Sequence, residues 1–119
     1  MTNVYITDLC VFLPNDPVSN DEMEEVLGFI GGKPSRAKKI ILKSNGIKSR
    51  HYAIDKDTKK LTHNNAELTA KAVEGALKGR NVDILSCGTS TPDQLMPGHA
   101  PMVQGELGLA GVEVMSAAG

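Results

Sequence analysis

The feature that most constrains this chain is the alternation of helical and strand periodicity over its second half. Ala66, Thr69, Ala70, Val73, Ala76 and Leu77 recur at helical spacing and predict a helix from Asn64 or Asn65 to about Leu77, closed by Lys78-Gly79-Arg80-Asn81. Residues 82–87 read as a buried strand, which leaves through the polar loop Gly88-Thr89-Ser90-Thr91-Pro92. A short helix is expected near Pro101, whose missing N–H is harmless in a first turn; it carries Val103 and Leu107 and stops before Gly108 and Gly111. Residues 112–116 form a last strand. Helices set between buried strands call for a mostly parallel sheet with helical cover.

The first half is less regular. Residues 4–12, rich in Val, Ile, Tyr and Phe, read as a strand ended by the rigid loop Leu13-Pro14-Asn15-Asp16-Pro17. Ser19 and Glu22 have capping-box spacing, and Met23, Val26, Leu27 and Ile30 predict an amphipathic helix over 20–30, closed by Gly31-Gly32. A basic excursion follows at about 33–60, holding Lys33, Arg36, Lys43, Lys48 and Arg50 among others, opposed there only by Asp55 and Asp57. Within it, 40–42 fits a helix turn or a strand end, Asn45-Gly46 marks a turn, and 47–54 reads as an extended arm. Such a segment is either a solvated lysine surface or a landing area for an acidic protein or a phosphorylated ligand.

The chain's 119 residues suit one domain at most. No apolar run approaches a membrane span, and the start has no basic leader, so the expected setting is the cytoplasm. The absence of tryptophan and an aromatic share of 3% leave little material for stacking nucleic-acid bases. Cys10 and Cys87 lack a second ligand pair, and His51, His63 and His99 are scattered, so neither a disulfide framework nor a metal site is expected. Each histidine reads as a surface or local hydrogen-bonding group. Cys87 reads as a small buried hydrophobe, and the 89–93 run as either a site at a strand's carboxyl end or a set of turn caps.

Taken together, Gly46-Ile47-Lys48-Ser49-Arg50-His51, Cys87-Gly88-Thr89-Ser90-Thr91-Pro92-Asp93, Met96-Pro97 and Gln104-Gly105-Glu106-Leu107-Gly108 resemble the amino-terminal half of a β-ketoacyl-acyl-carrier-protein synthase III, a thiolase-fold condensing enzyme. The resemblance runs over nearly the whole chain. It implies an α/β, thiolase-like fold in which residues 1–119 form part of the first of two similar αβα halves, with the basic excursion at its surface and the carboxyl-terminal half absent. It also implies a homodimer that meets an acyl carrier protein, with no nucleic acid or membrane partner. No cofactor is held permanently; acyl-CoA or acyl-phosphopantetheine is the substrate.

In that family the strand matching 112–116 leads into a nucleophilic cysteine at a helix amino terminus, where thiolate and oxyanion charge are stabilised. Two alignments are open: Gly119 replaces that cysteine, or the cysteine lies about two residues further on, which is the favoured alignment. The expectation is therefore no catalytic residue inside the chain and no condensation by the chain alone. Ser90 and Met96 match positions of the acyl pocket and of a loop that reaches across the dimer. Arg36, Lys43, Lys48 and Arg50 are assigned to the approach of a carrier protein or CoA. Ile40 and Ser44 stand where a tryptophan and an arginine often contact CoA, which favours a carrier-borne donor. The implied reaction moves an acyl group to cysteine and then forms a carbon–carbon bond by Claisen condensation, in fatty-acid or polyketide-type biosynthesis. A non-catalytic fragment or partner-binding subunit of the same fold is the alternative; hydroxymethylglutaryl-CoA synthase chemistry and a basic nucleic-acid module are lesser ones.

Overall fold

A computed structural model describes residues 2–118. Its contacts divide the chain into two units: residues up to Phe12 together with those from Asn64 onward, and residues 13–63 between them.

The 13–63 unit holds a two-residue strand β1 (Val18–Ser19), helix α1 (Met23–Leu27), a 3₁₀ turn (Ile30–Gly32), helix α2 (Lys38–Asn45) and strand β2 (Ser49–Arg50). Strands β1 and β2 pair antiparallel, Val18 opposite Arg50 and Ser19 opposite Ser49. Val18 and Val26 are buried in it, as is Pro14. Ser19 and Glu22 make reciprocal bonds, the Ser19 N–H and hydroxyl donating to Glu22 Oε2 at 3.1 and 2.6 Å and the Glu22 N–H to Ser19 Oγ at 3.4 Å, but these close the turn before α1, whose N-cap is Glu22 rather than Ser19 and has no side-chain cap. The helix is only five residues long, not the eleven or so that its apolar spacing suggests. Gly28, at φ 88°, takes the chain out of the helix after one turn, and its N–H closes on Glu24 O. Residues 40–42 belong to α2, which Gly46 ends in the left-handed region at φ 69°. The 47–54 arm contributes β2, and Ile54 bridges Leu61.

The other unit carries helix α3 (Asn65–Leu77), strand β3 (Ile84–Thr89), helix α4 (His99–Leu107) and strand β4 (Glu113–Ala118). Strands β3 and β4 are parallel, in register from Ile84–Glu113 to Thr89–Ala118, with α4 in the crossover. This is the parallel pairing that the alternating pattern requires. The core gathers Ala66, Ala70, Leu85, Cys87, Ala100 and Val103. Four of the six are Ala or Cys, small enough for α4 to pack closely against α3 on one side and the two strands on the other.

Residues 4–12 differ from expectation. They are irregular, and Val4, Tyr5, Ile6, Leu9 and Val11 are all exposed. A strand needs a neighbour to satisfy its backbone groups, and among the described residues the β3–β4 sheet has two strands only. Side-chain ties hold the segment instead: Asp8 pairs with Lys78 at 2.9 Å and with Arg80 at 2.7 Å. The Gly119 position lies outside the described residues.

Candidate functional site

Within the 13–63 unit, α2 presents its Lys39–Lys43 side to the turn that precedes α1, and a cleft of about 620 Å³ opens between them. Arg36, Lys43 and Lys48, three of the four basic residues singled out in the sequence, line it together with Lys38 and Lys39. Against these five cations stand two carboxylates, Asp21 and Glu24. Glu24 is already committed. It accepts the Ser35 N–H at 2.7 Å and Lys38 Nζ at 3.1 Å, in a pair whose side chains are only 12% and 16% exposed. The Ser35 N–H and then the Lys38 ammonium hold the Glu24 carboxyl below the usual glutamate range. Lys38 also donates to Asp21 O at 3.2 Å, so it is bound to the cleft floor. Arg36, Lys39, Lys43 and Lys48 form no ion pair among the described residues and leave the cleft with an uncompensated positive field.

Arg50 is the fourth and does not line the cleft. Its Nη2 donates to Asn20 Oδ1 at 3.0 Å, and Nη1 rests on Met23 Sδ. Asn20 in turn donates its amide to Ile47 O at 2.8 Å and its backbone N–H to Lys48 O at 3.3 Å. Arg50 thus braces the wall on which Ile47 and Lys48 sit.

Ser90 and Met96 lie in the other unit, both exposed, on the loop between β3 and α4. The residues around them are engaged in fastening α3. Asp93 accepts the N–H groups of Asn65 at 2.8 Å and Ala66 at 2.9 Å, and Asn65 donates its amide to Thr89 Oγ1 at 3.0 Å and to Thr91 O. Thr89 Oγ1 also accepts the Thr91 N–H at 3.1 Å, so the 89–93 run ties down its own turn as well as the start of α3. Cys87 is buried in β3, where desolvation pushes its thiol up from the ordinary value, the opposite of what a nucleophile needs.

Two features of the site are not visible from residue order alone. Glu24 shares a floor with the basic residues because its carboxylate reaches Ser35 and Lys38, more than ten residues further along the chain. His99 is 3% exposed, so of its two readings, surface or local hydrogen-bonding group, only the second holds, and its burial is the unexpected part. Its Nε2 meets Thr69 Oγ1 at 3.0 Å, while Nδ1 is buried without a hydrogen-bond partner. Its position on the first turn of α4, one residue before the buried Ala100, is the only local signal of that burial. Among the described residues no three His, Cys, Asp or Glu side chains come together as metal ligands, and no helix is long and apolar enough to cross a membrane.

No family model matches the sequence. Curated proteins do. A β-ketoacyl-[acyl-carrier-protein] synthase III of Bordetella petrii is 34% identical over 111 residues, covering 93% of this chain and 33% of that protein. The synthase III of Neisseria meningitidis serogroup A is 32% identical over 99 residues, 82% of this chain and 28% of its own length. Among solved structures, the tetronic acid condensing enzyme AbyA1 superposes with a TM-score of 0.72 at 30% identity, over 94% of this chain and 35% of that one. The synthase III of Thermus thermophilus gives 0.64 at 27% identity, over 93% and 32%. The chain spans about a third of the length of the proteins it matches.

Proposed function

We propose that this chain, a thiolase-like relative of the β-ketoacyl-[acyl-carrier-protein] synthases III that matches their amino-terminal portion, serves a complete protein that forms carbon–carbon bonds between thioesters. The likeness to synthases III over 93% of the chain carries this reading. In the proposed reaction a cysteine thiolate attacks the carbonyl of an acyl thioester, and CoA or the phosphopantetheine thiol leaves. A malonyl-type thioester then loses CO₂, and the electron pair released attacks the acyl-cysteine carbonyl and expels the thiolate. Neither Cys10 nor Cys87 is assigned as that nucleophile.

This chain's own part is delivery and shape. The uncompensated cations Arg36, Lys43 and Lys48 attract the phosphate groups of an acyl-CoA or of a carrier protein's prosthetic arm, and Arg50 keeps their wall in place. Ser90 and Met96 are proposed to contact the acyl chain or the neighbouring subunit of a homodimer in the cytoplasm. The thioether of Met96 adapts to more than one acyl shape.

The complete protein should gain the mass of an acyl group when mixed with acyl-CoA or acyl-carrier donors, and then release a β-ketoacyl product on adding a malonyl thioester. Lys43→Glu should lower kcat/KM for the donor, most strongly at low salt. Absence of an acyl adduct with either donor would overturn the condensing reading.

A further inference from the structure

Asn45-Gly46, which the sequence marks as a turn, takes no part in the chemistry described so far. Asn45 is the last residue of α2, Gly46 follows it at φ 69°, and both are exposed. The Asn45 side chain is unlike the other asparagines of its unit. Its Oδ1 accepts the Ile47 N–H at 2.9 Å, which closes a ring containing the Gly46 nitrogen and folds the side-chain carbonyl back along the Gly46 peptide. Its Nδ2 makes no hydrogen bond among the described residues, whereas those of Asn15 and Asn20 donate to main-chain carbonyls. The Gly46 N–H is not returned to the last turn of α2, unlike the N–H groups of Gly28, Lys78 and Gly108 at the ends of α1, α3 and α4. Open space surrounds the place where a Cβ of residue 46 would stand, so nothing obstructs an approach to its nitrogen.

We propose that Asn45 is a site of self-modification, at which the Gly46 nitrogen closes on the side chain and converts it to aspartate and isoaspartate. The Gly46 N–H gives its proton to solvent base, and the nitrogen attacks Asn45 Cγ. As the new C–N bond forms, the carbonyl electron pair moves onto Oδ1, at which the Ile47 N–H already points; the donor for the oxyanion is set in place beforehand. The pair returns, the Cγ–Nδ2 bond breaks, and Nδ2 leaves as ammonia with a proton taken from water. Water then opens the cyclic imide at either carbonyl, so one water is consumed for each ammonia released. An Asn-Gly step supplies attacker and target in any chain; here the fold adds the donor at Oδ1 and a favourable field. The negative end of α2, about half a charge, opposes loss of the Gly46 proton. Lys43, two places before Asn45, and Lys48, two places after Gly46, are full positive charges in no ion pair among the described residues. The product bears on the local structure. A carboxylate at residue 45 stands where the α2 dipole disfavours it. Isoaspartate also adds a methylene to the main chain just before Ile47 and Lys48, whose carbonyls are held by Asn20. Modification therefore loosens α2 and its connection to β2.

Incubation of the folded full chain at mildly alkaline pH, with trypsin digestion and mass analysis, tests this beside the free peptide Ser-Asn-Gly-Ile-Lys. The Ser44–Lys48 peptide should gain about one dalton before any peptide holding Asn3, Asn15, Asn20, Asn64, Asn65 or Asn81. Its rate should be no lower than that of the free peptide, and its products should include isoaspartate, the mark of the cyclic imide. Asn45→Asp, which installs the product charge without lengthening the main chain, should speed hydrogen exchange of the α2 amides roughly twofold to fivefold. A folded chain that changes more slowly than the free peptide, products without isoaspartate, or earlier change at another asparagine overturns the proposal. Unchanged α2 exchange in Asn45→Asp overturns the loosening assigned to the product.

Discussion

Replacing Asp93 should loosen a helix that begins 28 residues earlier in the chain. An α-helix leaves its first N–H groups without intrahelical acceptors, and α3 satisfies them with three side chains. Glu67 Oε2 takes the Asn64 N–H and Asn64 Oδ1 takes the Glu67 N–H, both at 2.7 Å, a complete capping box. Asp93 takes the two between them, Asn65 at 2.8 Å and Ala66 at 2.9 Å, one on each carboxylate oxygen. Asp93→Ala therefore strips the acceptor from both. Loss of a single cap costs about 1 kcal/mol, and loss of a negative charge at a helix amino terminus a further 0.3 to 1 or so. Water reaches this exposed site and replaces part of what is lost, so the net expectation is about 2 kcal/mol. Asp93→Asn keeps one acceptor oxygen without the charge and should cost about half as much. Urea unfolding with an unchanged slope gives the free energy, and hydrogen exchange at Asn65 and Ala66 shows whether the loss sits at the first turn. A cost under about 0.5 kcal/mol for Asp93→Ala, with those two amides exchanging as before, would refute the assignment of Asp93 as the cap.

Val103 has no exposed surface, and Val103→Ala removes two methyl groups from the α3–α4–sheet core, costing about 2 kcal/mol in urea unfolding; a cost near zero would mean that the core is loosely packed. Glu24, Glu22 and Asp55 all have carboxyls held below their ordinary values, by the Ser35 N–H, the Ser19 hydroxyl and the Thr58 N–H respectively. A depressed folded-state pKa stabilises the fold above the ordinary carboxylate value and loses that contribution as pH falls through the folded value, so the 13–63 unit should destabilise as pH drops below the ordinary glutamate value of 4.5. Glu24→Gln should flatten this acid limb in pH-dependent hydrogen exchange, and an unchanged limb would count against the Ser35–Glu24–Lys38 arrangement. Iodoacetamide near pH 8 should label exposed Cys10 well before Cys87, whose thiol is buried and pushed up; reversed labelling, read by peptide mass, would contradict the packing of β3.

Much of the second half was legible because its signals are local. Helix α3 begins and ends where its periodicity says, and the strand–helix–strand order of β3, α4 and β4 follows from buried runs separated by glycine and proline. What failed to show were features made by distant residues meeting. Residues 4–12 have strand composition, yet composition supplies no partner, and their side chains remain exposed. The α1 stripe reads as a longer helix because periodicity cannot report that Gly28 adopts a positive φ. Arg36, Lys43 and Lys48 were visible as charges, and their convergence on one cleft was not, since it depends on how α2 lies against the turn before α1. The Glu24–Lys38 pair on the cleft floor spans 14 residues and was hidden for the same reason.

Asn15 makes two demands of one position. Its backbone is left-handed at φ 54°, and its side-chain nitrogen donates to Tyr52 O at 2.8 Å, Thr62 Oγ1 at 2.9 Å and, more weakly, Ile54 O at 3.4 Å. Glycine meets the first demand and has no side chain for the second. Aspartate tolerates the backbone but turns a donor into an acceptor facing two carbonyls, and glutamine or lysine donate but strain the backbone. A saturation library at this position should rank asparagine above glycine, aspartate, glutamine and lysine in stability. The entry and exit of the 13–63 unit are thus stitched by one side chain that answers both demands at once.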